Sequence, residues 1–202
     1  DTAINTDLAN ATGDKTFKTR AAFLTPIAKA FGTDTGSEVA DLGIQVHGGM
    51  GFIEETGAAQ FARDVRVTRI YEGTNGIQSM DLVARKLMDG GTAAFAMLED
   101  IKATAANNPT LAAAEFALRQ ATKTLLASDT LNSRFAGASA YLRAFALTLG
   151  GHYLTRGATD NNRTSLNAFY TAHFLPQVNA LCASATSGDS LLYAINTDKL
   201  AG

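Results

Sequence analysis

Apolar residues return every three or four positions along most of the chain, and no other feature limits the fold so strongly. Phe17, Ala21, Leu24, Ala28 and Phe31 form one such series, and Val39, Leu42 and Val46 a second. Ile77, Met80, Ala84 and Leu87 form a third, Phe135, Ala138, Leu142, Phe145 and Leu149 a fourth, and Phe174, Val178, Leu181 and Ala185 a fifth. This spacing places side chains on one face of an α-helix. Several such faces in succession predict an all-α fold, an antiparallel helix bundle with the series residues in its core. The 202 residues suffice for a sizeable core, and the 46% apolar content is that of a globular chain. The alternation in VRVTRIY, residues 65–71, is the one strand-like signal. An Ala-rich periodic segment precedes it, which predicts a continued helix followed by a short extended piece.

Glycine and proline punctuate the pattern. Gly32 to Gly36 predicts a break between two helices, and Gly48, Gly49 and Gly51 the end of the second. Gly73 to Gly76 predicts a turn, and Asp89-Gly90-Gly91 a joint between a first unit, 1–90, and a second helical unit, 91–202. Asn107-Asn108-Pro109 and the polar run Thr159 to Thr164 separate later helices, while Pro26 and Pro176 should kink or start helices.

Several function classes are excluded. A net charge of −2 without a basic cluster argues against nucleic-acid binding. No apolar run approaches the length of a membrane-spanning helix, and no charged-then-apolar leader opens the chain. The one cysteine, Cys182, has no internal disulfide partner, which fits a reducing compartment, and its setting in VNALCASA reads as a small buried hydrophobe. His47, His152 and His173 lack metal-ligand spacing, so no metal site is expected. The chain opens Asp-Thr-Ala with its first methionine at Met50, and we expect it to be part of a longer protein.

Two segments could carry chemistry. In GIQVHGGMGF, residues 43–52, three glycines close together serve either as a helix end or as backbone lying against a phosphate or flat cofactor, with Gln45 and His47 beside it. An esterase oxyanion loop would require a G-x-S-x-G elbow on a strand, and the nearest match, Gly137-Ala138-Ser139-Ala140-Tyr141, lacks the last glycine. No G-x-G-x-x-G follows a strand, so a dinucleotide fingerprint also fails. In RIYEGTNGIQ, residues 69–78, Glu72 precedes a Gly-Thr-Asn-Gly turn, and a helix starts near Ile77 with Thr74 and Asn75 as capping types. The first-turn N–H groups of such a helix form an anion site. Glu72 is either an acidic residue well placed near a helix dipole, which spacing alone favours, or a general base beside a bound anionic cofactor.

The order of these segments adds to that reading. AAFLTPIAKAFG, then EVADLGIQVHGGMGFIEETG, then ARDVRVTRIYEGTNGIQSMDLVARKL closely resembles the end of acyl-CoA dehydrogenases, continuously over about residues 15–88. FAGASAYLRAFALTLGGHYL, FYTAHFLPQVNALCASA and LLYAINTDKL resemble the extra helical domain of larger bacterial members, the subgroup containing 3-methylmercaptopropionyl-CoA dehydrogenases. The resemblance implies that the chain begins at about the third helix of the family's C-terminal four-helix bundle. An N-terminal helical domain and a β domain over the flavin would precede it.

The resemblance also assigns roles. Glu72 matches the catalytic base of the Y-E-G-T motif, which takes the α-proton of an acyl-CoA thioester while hydride passes from the β-carbon to FAD. A carboxylate in water is a weak base for that task, and the family's remedy is a dry pocket and hydrogen bonds to the thioester oxygen. One of those bonds comes from the glutamate's own N–H. Gly73 would leave room for substrate. Thr74, Asn75 and Gly76 match a turn that contacts FAD. Gln45, Val46, His47, Gly48 and Gly49 match a second FAD segment reaching a neighbouring subunit's cofactor, which implies at least a homodimer. Electron-transfer flavoprotein would accept the electrons, in the cytoplasm of a bacterium. This chain by itself is expected neither to hold FAD tightly nor to turn over acyl-CoA. Two alternatives stand beside this reading: a non-catalytic helical association module, and an acyl-CoA oxidase that hands electrons to oxygen. Arg134, Arg143 and Arg163 are expected to be solvated or ion-paired, and residues 92–202 to pack over the core and contribute to dimer contacts.

Overall fold

The structure is a computed structural model that describes residues 1–197. Among these residues there is no strand, as the all-α reading expects. Packing divides the chain into two units, Asp1–Ser79 and the described residues from Met80 onward.

In the first unit, α1 (Thr2–Thr12) ends at Gly13, whose φ of 70° is the left-handed geometry of a helix stop. The Asp14 carboxylate then accepts from the Thr16 N–H at 2.8 Å and caps α2 (Lys15–His47). The 33 residues of α2 run through Pro26, Gly32 and Gly36 without interruption, which corrects the predicted break and the helix start at Pro26. A glycine inside a helix costs only ~1 kcal/mol, and packing against α1 and α4 offsets it. At Gly36 the missing side chain lets α4 come close: a Cβ there would lie 3.3 Å from Val65 Cγ2. Thr33 and Ser37 also donate their hydroxyls to the carbonyls of Lys29 and Thr33.

Gly48 closes α2 at φ 61°, and α3 (Gly49–Phe52) and a 3₁₀ turn (Glu54–Thr56) lead into α4 (Ala58–Thr68). The VRVTRIY segment is helical to Thr68, as predicted. The expected extended piece is instead a tight turn, with the N–H groups of Ile70 and Tyr71 both bonded to the Val67 carbonyl. After that turn α5 (Asn75–Ala84) begins.

The core of the first unit agrees only in part with the series expected. α2 buries Ala21 and Leu24, as expected, together with Phe23, Ile27 and Ala30, while Ala28 is exposed. Val39, Leu42 and Val46 are exposed by 60%, 55% and 85%, and Ile77 is exposed as well, which corrects their placement in the core. Helical spacing identifies an apolar face and not what covers it. The C-terminal half of α2 meets α4 along a different line, marked by Gly36.

In the second unit, α6 (Thr92–Thr104) and a 3₁₀ turn (Ala105–Asn107) lead to α7 (Pro109–Leu126). Asn108 caps α7, with Pro109 in its first turn, as the Asn-Asn-Pro signal predicts. α8 (Leu131–Ala136) precedes α9 (Ala138–Gly157), then follow α10 (Asn161–His173), α11 (Gln177–Ala185) and α12 (Ser190–Ala194). Asp160 caps α10 inside the polar run, and Pro176 sits at the start of α11.

α9 is the centre of this unit. α6, α7, α10 and α11 all pack on it, and its residues 144–149 are buried on every face. Two glycines allow that approach. A Cβ at Gly137 would stand 1.9 Å from the Ala185 carbonyl oxygen, and one at Gly150 would stand 2.2 Å from the Tyr170 hydroxyl. The Tyr141 and Thr122 hydroxyls pair at 2.8 Å in the buried interior, and burial pushes the Tyr141 hydroxyl well above its ordinary value. Cys182 is buried, as expected, and burial pushes its thiol up to about 11. Arg163 pairs with Asp160 as a surface charge. LLYAINTDKL is described through Thr197, and its last three residues lie outside the described residues.

The Asp89-Gly90-Gly91 joint lies between α5 and α6, with Gly90 and Gly91 at φ 74° and 76°. The packing boundary falls earlier, inside α5, between Ser79 and Met80.

Candidate functional site

The turn between α4 and α5 is fixed at nearly every residue. Arg69 donates its Nε to Asp34 Oδ1 at 2.7 Å, and its own carbonyl accepts from the Asn75 N–H at 3.2 Å. The Asn75 side-chain amide is wholly occupied. Its Nδ2 donates to the Ala30 carbonyl, to Thr33 Oγ1 and to Asp34 Oδ1, at 3.2, 3.0 and 2.8 Å. Its Oδ1 accepts from Lys29 Nζ at 2.7 Å. The same ammonium donates to the Gly73 carbonyl at 2.7 Å. Gln78 Nε2 takes the Glu72 carbonyl at 2.9 Å, and the Thr74 carbonyl accepts the first hydrogen bond of α5 from the Gln78 N–H.

This network holds an unusual backbone. Glu72 has φ 56° and is the one non-glycine residue with positive φ among the described residues, and Gly73 follows at φ 84°. The left-handed region costs a residue with a Cβ roughly 1–2 kcal/mol, and such geometry persists where surroundings enforce it. The glutamate carboxylate is exposed, and among the described residues its N–H has no hydrogen-bond partner. An outward carboxylate therefore stands beside an unspent backbone donor. Exposed apolar side chains surround it in sequence: Val67 and Ile70 before it, Tyr71 beside it and Ile77 after it.

The other expected residues lie elsewhere. Gln45, Val46, His47, Gly48 and Gly49 are all exposed at the C-terminal end of α2. Asn75 meets α2 at Thr33, and Gln45 lies about 18 Å further along the helix at 1.5 Å per residue. A single copy of the chain thus keeps the two glycine-rich segments apart. Within the first segment each glycine has its own reason. Gly48 adopts φ 61°, and a Cβ at Gly51 would collide with the Ile44 carbonyl oxygen at 2.3 Å. A Cβ at Gly49 would meet nothing within 4 Å, so this backbone faces open space. His47 Nδ1 is bonded to the Gly43 carbonyl at 2.8 Å, which fixes the ring at the edge of the segment.

These features bear on an extended anionic cofactor. Gly76 is open, since a Cβ there would meet nothing within 4 Å, and Thr74 is exposed beside it. Both sit at the start of a ten-residue helix in which the Asn75 and Gln78 N–H groups are bonded to the Arg69 and Thr74 carbonyls, and those of Gly76 and Ile77 have no acceptor within the helix. These residues fit a phosphate-bearing group. The Asn75 side chain does not, because its bonds are spent within the chain. Among the described residues no cluster suited to a metal ion occurs.

Lys29, Thr33, Asp34 and Gln78 were not identified from sequence. One signal was available: Lys29 and Thr33 are spaced to share a helix face, and Lys29 is an isolated charge in the apolar run LTPIAKAF.

Comparison with known proteins places these motifs. Residues 8–88 match the family model for the acyl-CoA dehydrogenase C-terminal domain. 3-Methylmercaptopropionyl-CoA dehydrogenase of Ruegeria pomeroyi is 58% identical over 85 residues, 42% of this chain and 14% of that protein. Mitochondrial very long-chain specific acyl-CoA dehydrogenase of Rattus norvegicus is 42% identical over 79 residues, 39% of this chain and 12% of that protein. Butyryl-CoA dehydrogenase of Syntrophomonas wolfei is 41% identical over 97 residues, 47% of this chain and 16% of that protein. The matched stretches thus span only 12–16% of the length of these relatives.

Proposed function

From the match of residues 8–88 to the acyl-CoA dehydrogenase C-terminal domain we propose that this chain is part of an acyl-CoA dehydrogenase and that Glu72 is the base of an acyl-CoA α,β-dehydrogenation. Its carboxylate takes the α-proton of an acyl-CoA thioester on the way to the trans-2-enoyl-CoA. The observation that carries this reading is the held left-handed backbone at Glu72, with the carboxylate and the unpaired N–H both outward. The N–H donates to the thioester carbonyl oxygen, which acidifies the neighbouring C–H by stabilising charge as it develops. Gly73 offers no side chain to obstruct the acyl group.

FAD, when bound, supplies the acceptor for the hydride leaving the β-carbon. Thr74 and Gly76 would hold its phosphate-bearing portion at the start of α5, and Asn75 would serve that contact by fixing the turn. Gln45 to Gly49 would hold the cofactor of a second copy. The ~18 Å between the two segments along α2 supports a division between subunits, and hence at least a homodimer.

The exposed carboxylate calls for a cover that excludes water, since a dry setting is what strengthens a carboxylate as a base. The N-terminal and β domains of the family would provide that cover. This chain alone should therefore retain no flavin and turn over no acyl-CoA. Electron-transfer flavoprotein is the proposed electron acceptor, in a bacterial cytoplasm. The test uses the holoenzyme, this chain assembled with those two domains. Substrate should bleach the visible flavin absorbance of the wild type, and Glu72→Gln should slow bleaching by roughly 10³-fold or more. Unchanged bleaching would rule out Glu72 as the base.

A further inference from the structure

We propose that Lys29 is the positioning residue for Glu72, its ammonium clamping the turn from which the carboxylate projects. This rests on the reading of Glu72 as the base. Lys29 lies half-buried on α2, distant from Glu72 in sequence, and Nζ reaches two oxygens of the turn at 2.7 Å each. One is the backbone carbonyl of Gly73, the residue after Glu72. The other is Asn75 Oδ1, at the first residue of α5. The two bonds therefore bridge the left-handed pair and the helix that follows it.

The surrounding charges show what the ammonium is used for. Asp34, its nearest acidic neighbour in sequence, is paired with Arg69 and accepts from Asn75 Nδ2. Lys29 has no ion-pair partner among the described residues, and its charge is directed at neutral oxygens. A charged donor makes a stronger bond to a carbonyl than a neutral one does, so the two contacts of Lys29 hold the turn more firmly than neutral donors would. Gln78 Nε2 donates to the Glu72 carbonyl. The backbone after Glu72 is thus pinned at two successive carbonyls. The Glu72 N–H and carboxylate, on the open side, are the parts left for substrate.

The experiment compares Lys29→Met, Lys29→Gln and Lys29→Arg with wild type in the holoenzyme, with two readouts. The first is amide hydrogen exchange over residues 70–78. Lys29→Met should speed it by about tenfold or more relative to flanking helices, because a local hold has been removed. The second is steady-state kinetics. Lys29→Met should lower kcat by about 30- to 100-fold and change KM by less than about threefold, as expected when alignment in the transition state is lost and not substrate binding. Lys29→Arg, which restores charged donors, should recover most of both. If Lys29→Met does not fold, Lys29→Gln, which keeps a single neutral donor group, should show both effects at reduced size.

Wild-type exchange over residues 70–78 in Lys29→Met would overturn the proposal. So would a rise in KM with kcat unchanged. Failure of the underlying reading would be distinguishable: full turnover in Glu72→Gln would remove the base and the catalytic half of this proposal with it, whereas the exchange result reports the clamp independently.

Discussion

Around Asn75 a handful of polar groups fix an exposed turn, and around Phe145 apolar side chains close on every face of a helix. The turn contains a left-handed glutamate that its own backbone preferences disfavour. The α9 centre contains a run of buried small and large residues in ordinary helical geometry. Burial makes the second region stable and chemically inert, as the raised hydroxyl of Tyr141 and raised thiol of Cys182 illustrate. Hydrogen bonds among half-buried side chains hold the first region and leave a carboxylate accessible. One chain thus separates the part that packs from the part proposed to react, and the contrast can be tested by the size of mutational effects.

The largest losses should come from the α9 centre. Phe145→Ala removes a fully buried ring and should cost about 3–5 kcal/mol in urea unfolding. A loss below about 1 kcal/mol would show that this core is loosely packed. Next comes the buried hydroxyl pair. Thr122 Oγ1 also donates to the Leu118 carbonyl, so Thr122→Val strands the Tyr141 hydroxyl, whereas Tyr141→Phe leaves Thr122 with a partner. Thr122→Val should therefore cost about 1–3 kcal/mol and Tyr141→Phe about 1 kcal/mol. The reverse order would mean that the pair is not arranged as described.

A further loss should appear with pH. The folded thiol of Cys182 is raised from 9.0 to about 11. The native state then binds more protons than the unfolded chain between those values. Stability is fully present below about pH 9 and falls as pH rises through 11. Cys182→Ala should flatten that part of the pH profile, measured by chemical denaturation. The smallest effect belongs to the exposed face of α2, where Leu42→Ser should change the stability of this chain by less than about 0.5 kcal/mol.

The two regions also differed in how far sequence reveals them. Helical periodicity identified the all-α class, and the series ending at Leu142, Phe145 and Leu149 reached the interior. It failed for Val39, Leu42 and Val46, because spacing is blind to whether a partner covers the face. The break expected at Gly32 to Gly36 failed for a related reason: a glycine that weakens a helix locally also lets α4 approach. Glu72 was found through a motif, and the motif gave no hint of its left-handed backbone. Lys29 and Asp34 were missed because the bonds they make join residues more than 30 positions apart; local sequence marks Lys29 only as an isolated charge in an apolar run and does not point to its partners.

The most direct test of the account is removal of the α-proton by itself. The holoenzyme is placed in D₂O with an acyl-CoA thioester, and deuterium entry at the α-carbon is followed by mass spectrometry. The wild type should exchange that hydrogen readily, and Glu72→Gln should slow exchange by about 10³-fold. Exchange at the wild-type rate in Glu72→Gln would contradict the account.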